Sequence, residues 1–315
     1  MDKTEVIIVG GGPAGAACAW KLGQQQVDFR LLDKAVFPRI KPCAGWITPQ
    51  VLRDLEMDAG DYPHSFTHFS SFQVFIKDFR VKLRTNQYAI RRFEFDDWLL
   101  GRSKSNYVNH TVKSIVFENG QYCIDGEFSA KYLIGAGGTH CPVGHTLFQS
   151  GPEGKKGSLI VAQEEEFAYD YSDERCFLWF FQNGLPGYAW YVPKANGFVN
   201  VGVGGSAAAL KAKNDTLKRH WGLLVEKLDD MGLIRGRAYK PVGHSYFLSG
   251  KHPALRKGNA FLIGDAAGLA TLDMGEGISP AIQSGLRAAE AIVSGQDYSV
   301  ASLHKYSFPS LLGFR

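Results

Sequence analysis

Residues 6–9 form an apolar, β-branched run that reads as a buried parallel strand, and Gly10, Gly12 and Gly15 follow it in a G-x-G-x-x-G spacing. An amphipathic segment over 13–24 comes next. A second strand, 27–32, then ends on Asp33, about twenty residues past the glycines. Strand, glycine turn, helix, strand and acid in this order predict a βαβ unit that holds a dinucleotide. Gly10 makes the tight turn, Gly12 lets a pyrophosphate approach the backbone, and Gly15 allows helix and strand to pack closely. Pro13 and Ala14 open a helix whose N-terminus presents free N–H groups and a partial positive charge to phosphates. Asp33 is placed to accept hydrogen bonds from ribose hydroxyls, with Lys34 beside it. The fingerprint alone does not separate FAD from NAD.

Composition narrows the class further. The 315 residues suffice for one large domain or two modest ones, with 45% hydrophobic and 21% charged residues, as in ordinary globular proteins. The net charge of +4 is spread without basic runs longer than pairs such as Arg91-Arg92 and Lys155-Lys156, which argues against nucleic-acid binding. No apolar run reaches the roughly 18 residues of a spanning helix. The first strand starts so near Met1 that no leader is expected, and the sequence predicts a cytoplasmic protein. The five cysteines (Cys18, Cys43, Cys123, Cys141, Cys176) are odd in number and lack C-x-x-C spacing, so neither a disulfide framework nor a zinc site is expected.

The remaining pattern alternates. A loop is expected over 34–47, a short helix over 49–57, and a hairpin of 70–76 with 79–83 around Lys77-Asp78. A helix begins at Phe93, and strands are expected over 112–117, 122–124 and 131–134. Residues 157–204 read as a run of antiparallel strands. Leu217, Trp221, Leu224, Val225 and Leu228 fall at helical spacing within an expected helix over 210–231. A last strand, 260–263, precedes helices over 278–294 and 300–306. The expected fold is α/β: a Rossmann-like dinucleotide domain (1–65, 86–156 and 250–315) interrupted by a mostly antiparallel sheet (66–85 and 157–249) that carries substrate.

Several further segments, in order, carry a resemblance: "FPRIKPCAGW", "RRFEFDDWL", "LIGAGGTHCPV", "GYAWYVP" and "FLIGDAAGLATLDMGEGISPAIQSG". Over nearly its whole length the chain resembles FAD-dependent oxidoreductases of the p-hydroxybenzoate hydroxylase fold, and within them the geranylgeranyl reductases. The resemblance implies FAD as the cofactor. It places Gly264 and Asp265 at the ribityl chain, and Gly275, Gly277 and Ile278 at a helix start whose free N–H groups face the flavin pyrimidine edge. It also places Arg92 and Arg39 near the pyrophosphate, Val112 at the adenine, and Cys43, Ala44 and Gly45 beside the isoalloxazine. One departure stands out. Most relatives read G-A-D-G where this chain has Gly135-Ala136-Gly137-Gly138, so that aspartate's role is missing here. The chain also ends soon after the flavin helix, where longer relatives continue.

Two groups are expected to meet substrate. Tyr188 and Trp190 are two apart, so on a strand they share one face. Within a motif like the Y-x-W-x-F-P of geranylgeranyl reductases they suit an extended apolar substrate. The same motif resembles the W-x-W-x-I-P of flavin halogenases. Cys43 is the candidate catalytic residue, a thiol placed to relay a proton or to position substrate, its pKa lowered by Lys41; Cys43 or a water is the expected proton source. Cys18 is expected in the core. No Ser-His-Asp order and no H-x-x-x-H spacing points to hydrolysis or a metal. The sequence thus predicts an FAD-dependent reductase of a carbon–carbon double bond in an isoprenoid or other apolar substrate. A flavin monooxygenase or halogenase is the first alternative, and a non-catalytic flavin-binding protein the second. NAD(P)H, bound transiently for want of a second fingerprint, or a donor protein is expected to supply electrons. An apolar or lipid substrate makes contact with a membrane surface a further expectation.

Overall fold

The computed structural model describes residues 1–77, 79–103, 106–148, 158–250 and 254–307. These fall into two compact units: the described residues within Met1–Arg39, Phe93–Gly157 and Phe247–Lys305, and those within Ile40–Arg92, Ser158–Tyr246 and Tyr306–Arg315. Asp78 of the expected hairpin turn and the expected domain boundary at 156/157 lie outside the described residues.

The first unit is built on a sheet whose strands β1 (Asp2–Val9), β2 (Phe29–Asp33), β6 (Tyr107–Asn109), β9 (Phe128–Gly135) and β16 (Ala260–Leu262) are all parallel, in the order β16–β9–β1–β2–β6. β15 (Arg256–Lys257) extends it antiparallel to β16, and a hairpin of β7 (Ile115–Glu118) and β8 (Gln121–Ile124) pairs with β9. Val6, Ile7 and Ile8 are buried on both faces, as expected of a central parallel strand. Helices α1 (Pro13–Gln24), α3 (Arg92–Arg102), α4 (Pro142–Phe148) and α7 (Ile278–Ser294) belong to this half of the chain. The strand expected at Val112 starts instead at Ile115, and Val112 packs half-buried on the core from the preceding loop. The short β6 was not expected. It pairs with β2, and the Asn109 side chain and the His110 N–H both bond to the Asp33 carbonyl.

The second unit is a mostly antiparallel sheet of β3 (Trp46–Ile47), β4 (Thr67–Ile76), β5 (Phe79–Ala89), β10 (Leu159–Ala168), β11 (Cys176–Phe180), β12 (Gly187–Lys194), β13 (Phe198–Ser206) and β14 (Val242–Phe247). The order is β14–β10–β13–β12–β11–β4–β5–β3, with β4 and β11 parallel. Short helices α2 (Pro49–Asp54) and α5 (Ala207–Ala212) accompany it, while α6 (Leu217–Asp230) covers one face. There Trp221, Leu224 and Leu228 pack on Phe177, Trp179, Tyr191, Val199, Val201 and Val203. The register places Glu164, Tyr188, Trp190, Lys194 and Asn200 on the opposite face.

Three expectations are corrected. The single helix expected over 210–231 is two, because Asn214 adopts a left-handed conformation and Thr216 caps α6 by accepting the Arg219 N–H at 3.3 Å. Residues 300–306 form turns, not a helix. Residues 40–65 and 86–92 group with the second unit. The reason is the length of β5: it runs on to Ala89, where Trp46 and Ile47 pair with it.

Candidate functional site

In the first unit β1 runs straight into the glycine turn. Gly10 has φ +116°, and a Cβ on it would lie 2.4 Å from the Ala136 carbonyl oxygen; a Cβ on Gly15 would lie 1.9 Å from the Gly10 oxygen. Both positions therefore demand glycine for packing. Gly12 differs, since a Cβ there would meet only Arg39 Nη2, at 3.4 Å. The space above it is open to a ligand. Gly12 also serves as the N-cap of α1, with no capping side chain, no acid in the first turn and Pro13 at the start, so the helix's own residues leave its positive end unscreened. The Arg39 guanidinium is held beside this opening by buried Asp96, 3.1 Å away, and by the Phe37 ring. At the end of β2, Asp33 accepts the Gly11 N–H at 2.6 Å and the Ala35 N–H at 2.8 Å, which ties the glycine turn to the second strand. Lys34 is exposed. An open glycine, a free helix end, a fixed cation and a strand-end carboxylate fit the pyrophosphate and ribose of a dinucleotide.

The second flavin motif is packed against the first. A Cβ on Gly264 would lie 2.8 Å from the Ala14 Cβ, and one on Gly285 would lie 2.2 Å from the Ala14 oxygen. The start of α1 is thereby wedged against α7 and against the turn that carries Asp265. Gly264 is further held by donating its N–H to Ser284 Oγ at 2.9 Å. An Asp265 carboxylate oxygen lies 3.3 Å from where a Gly277 Cβ would sit, at the N-terminus of α7. The expectation of free N–H groups there is corrected. The Glu276 carboxylate accepts the Ser279 N–H at 2.7 Å and also bonds Ile278. Burial, with Asp265 and Asp273 nearby, pushes the Glu276 carboxyl up to about 7 against those bonds. Gly275, in a left-handed turn, donates to the Thr271 carbonyl. The G-A-G-G departure also has a packing cause: a Cβ on Gly137 would press on Cys141 at 3.2–3.4 Å.

In the second unit Tyr188 and Trp190 do share a face. The Tyr188 ring lies 4.9 Å from Phe180, 5.5 Å from Trp190 and 6.4 Å from Trp46. Tyr188 is half-buried. Trp190 is 6% exposed, donates its indole N–H to Asn200 Oδ1 at 2.6 Å, and lies over Gly202, where a Cβ would come within 2.2 Å of the ring. Gly202 thus makes the floor that the indole needs.

Beside Trp190 the sheet buries a polar group that sequence reasoning missed. Lys194 is fully buried and donates to Glu166 at 2.6 Å and to the Cys43 carbonyl at 2.9 Å, while Arg91 holds the other oxygen of Glu166 at 2.9 Å. Glu164, 1% exposed, faces His244 Nδ1 at 3.4 Å, and its Oε2 and the Nδ2 of Asn200 have no well-formed hydrogen bond. Burial pushes the Glu164 carboxyl up to about 7, with Lys194, the Asn200 amide and Lys41 opposing and Glu166 adding to the rise. His244 is pushed down to about 4 by burial and by the Lys41 and Arg92 charges, so it is neutral at pH 7. No local motif marks these residues. They converge from strands far apart in sequence.

The other expected residues fall as follows. The Cys43 sulfur accepts the Gly45 N–H at 3.3 Å, and burial raises its pKa despite the opposing charges of Arg92 and Lys194. The expected lowering by Lys41 is therefore corrected: Cys43 is a neutral thiol. Gly45 has φ +74°, and a Cβ there would meet the Ile90 oxygen at 2.1 Å and Lys194 Nζ at 2.9 Å; Ala44 is half-buried beside it. Arg92 is buried and groups with the second unit. Cys18 is fully buried in α1, as expected.

A profile of the NAD(P)-binding Rossmann-like domain matches residues 8–72. An uncharacterized protein of Methanosarcina barkeri is 30% identical over 93% of this chain and 76% of its own length. The menaquinone reductase of Mycobacterium tuberculosis is 28% identical over 93% of this chain and 77% of that enzyme. Among solved structures, a geranylgeranyl bacteriochlorophyll reductase-like protein from Thermoplasma acidophilum superposes with a TM-score of 0.79 at 23% identity, covering 95% of this chain and 81% of that one.

Proposed function

We propose, for a chain that belongs to the geranylgeranyl reductase family of FAD-dependent oxidoreductases, that its reaction is the reduction of a carbon–carbon double bond in an isoprenoid or other apolar substrate. The observation that carries this reading is the face of the second sheet opposite α6. It sets Tyr188, Trp190 and Phe180 beside a buried carboxyl, Glu164, whose affinity for a proton is high enough to hold one near neutral pH. An aromatic surface with a proton source suits an apolar alkene, and a surface of either kind alone does not.

In this reading Gly10, Gly12, Pro13, Ala14, Gly15, Asp33 and Arg39 hold the adenosine diphosphate part of FAD. Asp265 and the start of α7 around Gly275, Gly277 and Ile278 hold the ribityl and pyrimidine parts. FAD held by these residues would, when reduced, provide the hydride for one alkene carbon. Tyr188 and Trp190 orient the chain and exclude water. Glu164 holds a proton on its carboxyl and delivers it to the other carbon. Lys194 and Asn200 steady the carboxylate that remains. Cys43 is the weaker acid of the two proton-bearing groups, its thiol raised above an already higher ordinary value of 9.0. It serves better as a neutral contact than as the donor.

The test uses protein reduced in the absence of oxygen and mixed with geranylgeranyl diphosphate. The expected outcome is reoxidation of the flavin spectrum by substrate alone. Reoxidation that needs oxygen, with oxygen uptake accelerated by substrate, would establish a monooxygenase instead.

A further inference from the structure

We propose that the β4–β5 hairpin tip and the neighbouring β11–β12 turn form a docking surface for an anionic lipid bilayer. Four apolar side chains are exposed there: Phe79 by 77%, Phe181 by 52%, Val81 by 48% and Ile76 by 43%. The two loops form one surface because the Lys77 N–H donates to the Phe180 carbonyl at 3.2 Å and the Gln182 amide donates to the Lys77 carbonyl at 3.0 Å. Ile76 and Phe79 are directly paired across the hairpin, and Val81 follows Phe79 on the same face. Phe181 sits in the left-handed region at φ +56°, a conformation that bulky residues rarely adopt, with its ring in solvent.

In the sequence around these tips, basic residues outnumber acidic ones: Lys77, Arg80, Lys82 and Arg84 stand against Asp78. Along β5 the apolar residues alternate with basic ones, so Arg80, Lys82 and Arg84 line the other face of the hairpin and Lys77 sits in the turn. Lys213 donates to the Gly184 carbonyl at 3.0 Å, and Arg219 reaches the Asn183 carbonyl at 3.5 Å, so two more cations border the second turn. Asp215 is already paired with Arg219 and His220. Exposed basic residues on an edge strand also guard against edge pairing, but that role gives no reason to expose two phenylalanines at the tips. Apolar tips inside a basic collar match a surface with an apolar interior and negative headgroups, and both parts of that match contribute to binding. A protein partner would need a recessed acidic pocket of complementary shape; a bilayer meets projecting tips without one. The patch ends the sheet face that carries Tyr188 and Trp190, because Ile76 is paired with Phe180 and Phe180 with Tyr188, and it is tested at residues that the proposed reaction does not use.

The experiment is flotation of the FAD-loaded protein with vesicles of phosphatidylglycerol and phosphatidylcholine, and with vesicles of phosphatidylcholine alone. Binding is expected on the anionic vesicles, about tenfold or more above the neutral ones, and weakened by salt. The double variant Phe79→Ser/Phe181→Ser and the variant Lys77→Glu/Lys82→Glu should each lose about tenfold or more of that binding, with flavin content and melting temperature near those of the parent, since all four side chains are exposed. The proposal is overturned if the parent does not float with anionic vesicles, or if both variants float as well as the parent. It is also overturned if the phenylalanine variant abolishes a lipid-free oligomer without changing vesicle binding, because the tips then join copies of the chain.

Discussion

Glu164 concentrates the residue-scale argument. It combines near-complete burial, a contact with the Asn200 amide and a neighbouring neutral histidine, while Lys41, Arg92 and Lys194 surround the group with positive charge. Its proton affinity rises on folding, from an ordinary 4.5 to about 7. Between those pH values the folded chain keeps a proton that the unfolded chain has released, so stability falls as pH rises through this window and stays lower above it. The size is roughly 3 kcal/mol. Glu276 changes in the same direction. Glu164→Gln removes the first contribution, so its loss of stability between pH 5 and pH 7 should be clearly smaller than the parent's in urea unfolding at each pH. If Glu164 is also the proton donor, the variant loses turnover while flavin reduction by an artificial donor is unchanged. An unaltered pH–stability curve would show that Glu164 is already ionised well below pH 7.

At the scale of elements, the close contact of α1 with α7 organises the nucleotide half. Ala14 is held between Gly264 and Gly285, and the Gly285 contact is to backbone, which cannot swing aside as a side chain would. Gly285→Ala should therefore push the start of α1 out of place. The expected cost is roughly 1–3 kcal/mol of stability, seen as a melting temperature several degrees lower, together with weaker FAD retention. A variant that melts with the parent and keeps its flavin would show that the two helices separate easily. The elements of this half were legible in the sequence because their signals are local: a β-branched run, glycines at fixed spacing and a strand-end acid. The second half was legible as strands, and the two-residue spacing of Tyr188 and Trp190 correctly put them on one face. The group around Glu164 was not legible. Its members come from β10, β12, β13, β14 and the loop before β3, and no window of sequence contains them together. The break between α5 and α6 was missed because the apolar spacing continues across Asn214. The Glu276 cap was missed because a glutamate between two glycines reads as part of a turn.

Over the whole molecule, the first unit carries the dinucleotide cradle and the second carries the aromatic and acidic sheet face. The cradle explains why FAD belongs to this chain, and the sheet face explains why the reaction proposed is the reduction of an apolar alkene. No helix among the described residues is long and apolar enough to cross a membrane. The central claim is that electrons held by the protein are passed to a double bond, with no oxygen inserted. Mass spectrometry of the product from a single anaerobic turnover of the reduced protein with geranylgeranyl diphosphate tests it most directly. The account predicts a product heavier by two hydrogens for each double bond reduced, in an amount matching the flavin oxidised, and the same product in air. A substrate returned unchanged without oxygen, and recovered with an added oxygen atom in air, would contradict it.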